Sequence, residues 1–114
     1  MKLLVAFAAL GFIAVMTPRV SGPASAEAQA VQVKIDGYAF KSPSITISTG
    51  TLVTWNNLDD DPHTVTATDG SFDSSGLAQG DTFSHKFIKP GTYQYYCKVH
   101  PMMRGSVTVK EAGT

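Results

Sequence analysis

The chain has 114 residues, with nine Lys and Arg residues against nine Asp and Glu residues. This balance excludes the basic surface by which proteins bind nucleic acids. The length is enough for one domain around a single hydrophobic core, but not for two domains. The sequence contains one cysteine, so no disulfide forms within the chain.

The N-terminal segment has the pattern of a secretory signal peptide. Lys2 provides a positive charge, residues 3–16 form an apolar run, and the small residues 24–26 form a cleavage site. The apolar run is shorter than the roughly 20 residues that span a bilayer. We therefore expect an exported protein without stable membrane association.

This pattern divides the chain into a signal peptide, residues 1–26, and a single domain, residues 27–114. Cleavage is expected after Ala26, and cleavage after Ala28 is the alternative. The expected destination is a bacterial periplasm, where the protein would act as a monomer.

The remaining chain has the pattern of short β-strands separated by turns. Seven segments alternate apolar and polar residues with a period of two and are rich in β-branched side chains. Turn pairs such as Asp36-Gly37 and Pro90-Gly91 separate them. We predict an all-β fold, a β-sandwich of seven to eight antiparallel strands. The segments are residues 31–35, 44–47, 51–55, 64–66, 82–87, 92–97 and 106–109.

The alternation also assigns the tyrosines near the C-terminus to faces of their strand. Tyr93, Tyr95 and Cys97 share one face, and Tyr96 lies on the other. We expect Tyr93 and Tyr95 in the core, with hydrogen-bond partners for their hydroxyls. Tyr96 is expected to point outward.

Two other polar features have ordinary structural interpretations. His85 alternates with Phe83 and Phe87, so we expect a histidine at the core or its rim with a hydrogen bond, rather than a metal ligand. The acidic run 59–61 precedes His63. We interpret it as a solvated loop rather than a docking or cation site.

One short loop carries a thiol, an imidazole and a thioether, at Cys97, His100 and Met103. These are soft donors that copper prefers, and two His nitrogens, one Cys sulfur and a weak axial Met form an electron-transfer copper site. His63 supplies the second imidazole from an upstream loop. A lone Cys is otherwise a small buried hydrophobe. Zinc is the competing metal, although structural zinc sites use Cys, His and carboxylate ligands rather than Met.

Three stretches of sequence carry a resemblance to a known family. They are V-T-W-N-N before D-P-H, at 53–57 and 61–63, G-T-Y-Q-Y-Y-C at 91–97, and M-R-G-S-V-T-V at 103–109. The chain resembles the cupredoxins, the small blue-copper proteins, and among them the amicyanins and plastocyanins. The spacing Cys-x-x-His-x-x-Met is similar to that of the short amicyanin loop.

The resemblance implies a Greek-key β-sandwich with one type 1 copper ion per chain. It implies that His63, Cys97 and His100 are the equatorial ligands and that Met103 is the axial ligand. The residue after the upstream His is often Asn in this family, where it braces the Cys-bearing loop. Here that residue is Thr64, so the sequence leaves the bracing open.

The resemblance also implies a one-electron carrier that cycles between Cu(II) and Cu(I). Its partners would be redox proteins, with a dehydrogenase or cytochrome as donor and a cytochrome or oxidase as acceptor. A full set of protein ligands leaves no open position for a substrate, so we do not expect an enzyme. The alternative is a periplasmic protein for copper storage or delivery.

Side chains beside the ligand loop suggest where partners would bind. Pro62, Pro101 and Met102 are expected to form an apolar patch around the edge of His100, suited to brief docking. Tyr96 matches the plastocyanin tyrosine thought to offer a second electron route, and a surface aromatic without such a role is the equal alternative.

Overall fold

The computed structural model describes residues 29–112 together with Gly11. The predicted signal peptide, apart from Gly11, and both candidate cleavage positions lie outside this part. Across the described residues, we find no helix with the length and apolar character that a membrane crossing requires.

Eight strands form within residues 29–112, which confirms the all-β prediction. Two of them are only two residues long. β5 overlaps the predicted segment 64–66 at one residue only. β2 was not predicted, because two residues are too few to show alternation. The strands are β1 Ala30–Ile35, β2 Phe40–Lys41, β3 Ser44–Ser48, β4 Thr51–Asn57, β5 Thr66–Ala67, β6 Thr82–Phe87, β7 Gly91–Tyr96 and β8 Arg104–Lys110.

The strands form two four-stranded sheets with the orders β2-β1-β4-β6 and β3-β8-β7-β5. Two pairs, β1 with β4 and β3 with β8, are parallel, and the other pairs are antiparallel. The prediction of antiparallel strands throughout is therefore wrong for these two pairs. Parallel neighbours need a long crossover, and here the chain visits the opposite sheet between them. Residue alternation carries no information about strand direction.

An aromatic cluster joins the two sheets. Trp55 of β4 is fully buried, and its ring lies 5.4 Å from the ring of Tyr95 on β7 in the other sheet. Phe72 and Phe87 also contact Trp55, with ring centroids 5.9 Å and 6.4 Å away. Aromatic pairs at these separations add to the stabilisation from burial alone. The contacts confirm a β-sandwich with its core between the sheets.

The predicted alternation along β7 is present. Tyr95 and Cys97 are buried, Tyr93 packs partly buried against the core, and Tyr96 is partly exposed. The Tyr93 hydroxyl donates to the Lys89 carbonyl at 2.8 Å. The Tyr95 hydroxyl has no hydrogen-bond partner among residues 29–112. The expected partner is therefore present for only one of the two core tyrosines.

His85 lies at the rim of the core, as predicted. Its ring centroid lies 4.9 Å from that of Phe72 and 4.7 Å from that of Phe87. Partial burial among these rings lowers its pKa below the ordinary value of 6.5. The described residues provide aromatic contacts to this ring rather than the hydrogen bond that we expected.

The loop that follows β7 leads directly into β8 at one end of the sandwich. Within β8, Gly105 faces Tyr95 across the sheet. A Cβ atom on Gly105 would lie 2.3 Å from Cζ of Tyr95, so only glycine leaves room for this ring. The close approach fixes the base of the loop that carries Cys97, His100 and Met103.

Candidate metal centre

His63 is held in place by three hydrogen bonds. Its backbone N–H donates to the Leu77 carbonyl at 3.1 Å, and the Leu77 N–H donates back to the His63 carbonyl at 2.8 Å. Its side chain is fully buried, and Nε2 lies 2.8 Å from Oδ2 of Asp59. Because an ionised carboxylate only accepts hydrogen bonds, this contact places the proton on Nε2. Nδ1 is then free to bind a metal.

Cys97 immediately follows the last residue of β7 and is fully buried. Its backbone N–H donates to the Met103 carbonyl at 3.0 Å, which closes the base of the loop. The Thr64 backbone N–H points at Cys97 Sγ from 3.3 Å. A donor at this position stabilises a thiolate, because hydrogen bonds to an ionised acceptor are the stronger ones.

Three of the predicted ligands converge at one end of the sandwich. Cys97 Sγ lies 3.7 Å from Nδ1 of His63 and 3.9 Å from Nδ1 of His100. One donor atom from each residue lies within 4.8 Å of the other two. His100 is only partly buried, whereas His63 and Cys97 are fully buried.

The adjacent methionines have different environments. Met103 is buried, with 6% of its surface exposed, whereas Met102 is 96% exposed. The backbone N–H of Met103 donates to the His100 carbonyl at 2.8 Å. The loop therefore turns inward at Met103 and presents Met102 to solvent, as their spacing predicted.

Thr64 braces the ligand loop, which the sequence had left open. Its hydroxyl oxygen accepts a hydrogen bond from the Lys98 backbone N–H at 2.8 Å. The same hydroxyl lies 3.0 Å from the Thr66 hydroxyl, which donates to Asp73 at 3.2 Å. The Lys98 ammonium pairs with Asp73 at 2.5 Å and closes the ring of contacts. A short hydroxyl network here performs the bracing attributed to Asn in the family.

Asp59 is a site residue that sequence reasoning missed. We interpreted the acidic run 59–61 as a solvated loop, yet only 10% of the Asp59 side chain is exposed. It accepts hydrogen bonds from the backbone N–H groups of Gly37 and Tyr38 as well as from His63. The bond from Tyr38 is the main cause that holds the pKa of Asp59 below its usual range. The spacing Asp-x-x-x-His was the available signal.

Tyr38 is the second residue that was missed. Its ring meets the rings of His63 and His100 edge-on, with centroids 5.3 Å and 5.1 Å apart. Its hydroxyl donates to the Asp61 carboxylate, which is the main reason that its pKa is raised to about 12. Tyr38 therefore shields the imidazoles while leaving 47% of its own surface exposed. Nothing in the alternation pattern marks a residue in a turn between β1 and β2.

The donor set favours a soft or borderline metal. It combines one sulfur with two imidazole nitrogens, and a buried thioether lies in the same loop. The Asp59 carboxylate contacts Nε2 of His63, on the side of the ring away from Nδ1. It is therefore not one of the converging donor atoms. Such a set fits copper in a type 1 geometry better than zinc. The site is compatible with one type 1 copper ion.

Comparison with known proteins gives a consistent result. The family model of the cupredoxin-like domain matches residues 4–109. Amicyanin-alpha of Methylorubrum extorquens is 38% identical over 90 residues, which cover 75% of this chain and 76% of the relative. Amicyanin of Paracoccus denitrificans is 34% identical over 116 residues, which cover 94% and 88% of the two chains.

The fold is also shared with solved structures. The structure of an oxidised proline-to-alanine mutant of amicyanin has a TM-score of 0.68 and 30% sequence identity, covering 71% of this chain and 82% of its own. The chain therefore belongs to the cupredoxin-like family, with amicyanins among its relatives.

Proposed function

We propose that the protein is a periplasmic one-electron carrier with one type 1 copper ion per chain. The convergence of His63, Cys97 and His100 donor atoms within 4.8 Å supports this proposal most strongly. These residues are the proposed equatorial ligands, and buried Met103 is the proposed axial ligand. Copper supplies the one-electron couple when it is bound.

The hydrogen bonds around the ligands support a carrier. The backbone N–H of Thr64 donates to the Cys97 sulfur. The Thr64 hydroxyl accepts from the backbone N–H of Lys98, the residue after Cys97. His63 is held on its other side by Asp59. Ligands fixed from both sides change position little between the oxidised and reduced states. The energy needed to rearrange the site during electron transfer is correspondingly small.

The surface beside His100 supports docking to redox partners. Val99 precedes His100 and is 54% exposed, and Met102, two residues after it, is 96% exposed. Two prolines are also exposed: Pro101, which follows His100, and Pro62, which precedes His63. Small apolar surfaces of this kind suit brief complexes. The proposed partners are a donor dehydrogenase or cytochrome and an acceptor cytochrome or oxidase.

The periplasmic location is proposed from the signal pattern of residues 1–26. Storage or delivery of copper is the other function that such a site could serve. It is less favoured because the ligands are held by a fixed network, whereas a delivery site must release its metal. No enzymatic role is proposed, since four protein donors would leave no open coordination position.

Copper titration and electrochemistry test the proposed function. The protein should bind one copper per chain, become intensely blue as Cu(II) and show a reversible one-electron couple. Cys97→Ser should lose the colour while its far-ultraviolet circular dichroism stays that of a β-protein. A blue Cys97→Ser protein would contradict the ligand assignment. Rapid transfer of copper to a metal-free acceptor, with slow electron exchange, would instead favour delivery.

A further inference from the structure

The Asp59 carboxylate has the position of a charged partner for a metal ligand. Its Oδ2 lies 2.8 Å from Nε2 of His63, a ring whose Nδ1 faces the Cys97 sulfur. His63 is fully buried and the Asp59 side chain is 10% exposed. Water and salt screen the charge of a carboxylate with this little exposure only weakly.

Backbone donors hold this carboxylate in place. The Gly37 N–H donates to Oδ1 at 2.8 Å, and the Tyr38 N–H donates to Oδ2 at 2.9 Å. Both residues have positive φ angles, 62° and 59°. That conformation is costly for the non-glycine Tyr38 and persists only where its surroundings enforce it. The turn before β2 is therefore shaped to bind Asp59, and its backbone orients the carboxylate toward His63.

We infer that Asp59 is a positioning residue for His63 and that its negative charge lowers the reduction potential of the copper centre. This inference rests on the proposed function. The hydrogen bond fixes the ring orientation and the Nε2–H tautomer, and it makes the imidazole a stronger donor. A nearby negative charge favours Cu(II) over Cu(I) because the attraction grows with the charge on the metal.

The test compares Asp59→Asn with Asp60→Asn in the copper-loaded protein. Asparagine at position 59 keeps an oxygen that accepts from His63 and Tyr38 but removes the charge. Asp60 is an exposed neighbour whose replacement removes the same charge. At a fixed solution potential, we expect the ratio of reduced to oxidised copper to rise about tenfold in Asp59→Asn, which is about 59 mV for one electron. Asp60→Asn should change this ratio less than about twofold.

Equal shifts in the two variants, or a lower potential in Asp59→Asn, would overturn the inference. If the unmodified protein binds no copper or is colourless, the proposed function itself fails, so the two failures are distinguishable. A lower thermal midpoint of metal-free Asp59→Asn with an unchanged reduction potential would show a purely structural role for Asp59, and it would also overturn the inference.

The positioning role of Asp59 can also be tested on the unmodified protein, so that this test does not depend on whether a variant folds. Nitrogen-15 NMR of the metal-free chain should show His63 protonated at Nε2, with a proton that exchanges slowly and resonates far downfield because of its hydrogen bond. His100 provides an internal comparison, because this residue is partly exposed. A His63 ring protonated at Nδ1 instead would overturn the positioning role.

Discussion

At the scale of single residues, Met102 and Met103 differ in exposure by a large factor, 96% against 6%. If Met103 is the axial ligand, Met103→Gln should change the visible spectrum and lower the reduction potential, because a harder oxygen donor favours Cu(II). Met102→Gln is the matched control and should leave both nearly unchanged. Spectroelectrochemistry of the two variants checks this expectation. A spectral change confined to the Met102 variant would reassign the axial position.

Thr64 gives a second prediction at this scale. Thr64→Val keeps the side-chain shape but leaves the Lys98 N–H without its acceptor. The free energy of unfolding of the metal-free protein should fall by about 1–3 kcal/mol. The control is Thr54→Val, which removes a partly exposed hydroxyl pair with Ser84 and should cost about 0.5 kcal/mol or less. Equal losses in denaturant titrations would show that the Thr64 network does not brace the loop.

The residues of the candidate metal centre differ in how readily they can be identified from the sequence alone. Cys97, His100 and Met103 could be proposed as ligands from the sequence, because their spacing within one loop is itself the signal. Thr64, Asp59 and Tyr38 carry out their roles through contacts with residues distant in sequence, such as Thr64 with Lys98 and Asp59 with Gly37. Period-two alternation reports which face a side chain occupies. It does not report which distant partner that side chain meets.

At the scale of strands, Gly105 of β8 is required by its neighbour rather than by its backbone angles. Gly105→Ala would drive a methyl group into the Tyr95 ring, at 2.3 Å from Cζ. Because this ring lies in the core, we expect a loss of about 1–3 kcal/mol in unfolding free energy. Gly76→Ala is the control, since nothing lies within 4 Å of its added Cβ. Similar thermal midpoints for the two variants would contradict this packing.

His85 on β6 should make stability depend on pH. Its pKa is lowered by burial, so the unfolded chain binds a proton more readily than the folded chain. Unfolding is therefore favoured as the pH falls below 6.5, and stability is greatest above that value. His85→Leu should reduce the loss between pH 8 and pH 5 by less than about 1 kcal/mol.

Denaturant titrations of the metal-free proteins at both pH values measure this effect. The other two histidines are present in both proteins, so any contribution they make cancels in the difference. An unchanged pH dependence in His85→Leu would mean that the β6 histidine is solvated in the folded state.

The strand arrangement itself was only partly predictable. Alternation located every long strand, because each contributes side chains to the hydrophobic core. The same pattern missed β2, and it placed β5 only approximately, since the predicted segment 64–66 shares one residue with this strand. These two short strands are defined by their pairing with β1 and β7 rather than by a pattern in their own residues. The parallel pairs follow from how the chain crosses between sheets, which is a property of the whole topology.

At the scale of the whole molecule, the candidate metal centre lies at one end of the sandwich, beyond the aromatic cluster of the core. The Trp55 cluster joins the sheets through aromatic contacts, and Cys97 and His63 are held by hydrogen bonds within the protein itself. The fold should therefore form without metal. This separates the chain from small domains that fold only when metal binds.

The last prediction follows from that separation. Metal-free protein should give a cooperative thermal transition and β-type circular dichroism, because the core and the hydrogen bonds around the ligands persist without copper. Added Cu(II) should raise the unfolding free energy, by up to about 2.7 kcal/mol when the free metal is 100 times its dissociation constant and the unfolded chain binds none. Cys97→Ser should gain much less at the same copper concentration, because the thiolate is lost. A metal-free chain that is unfolded, or equal stabilisation of both proteins by copper, would contradict a preformed site built around Cys97.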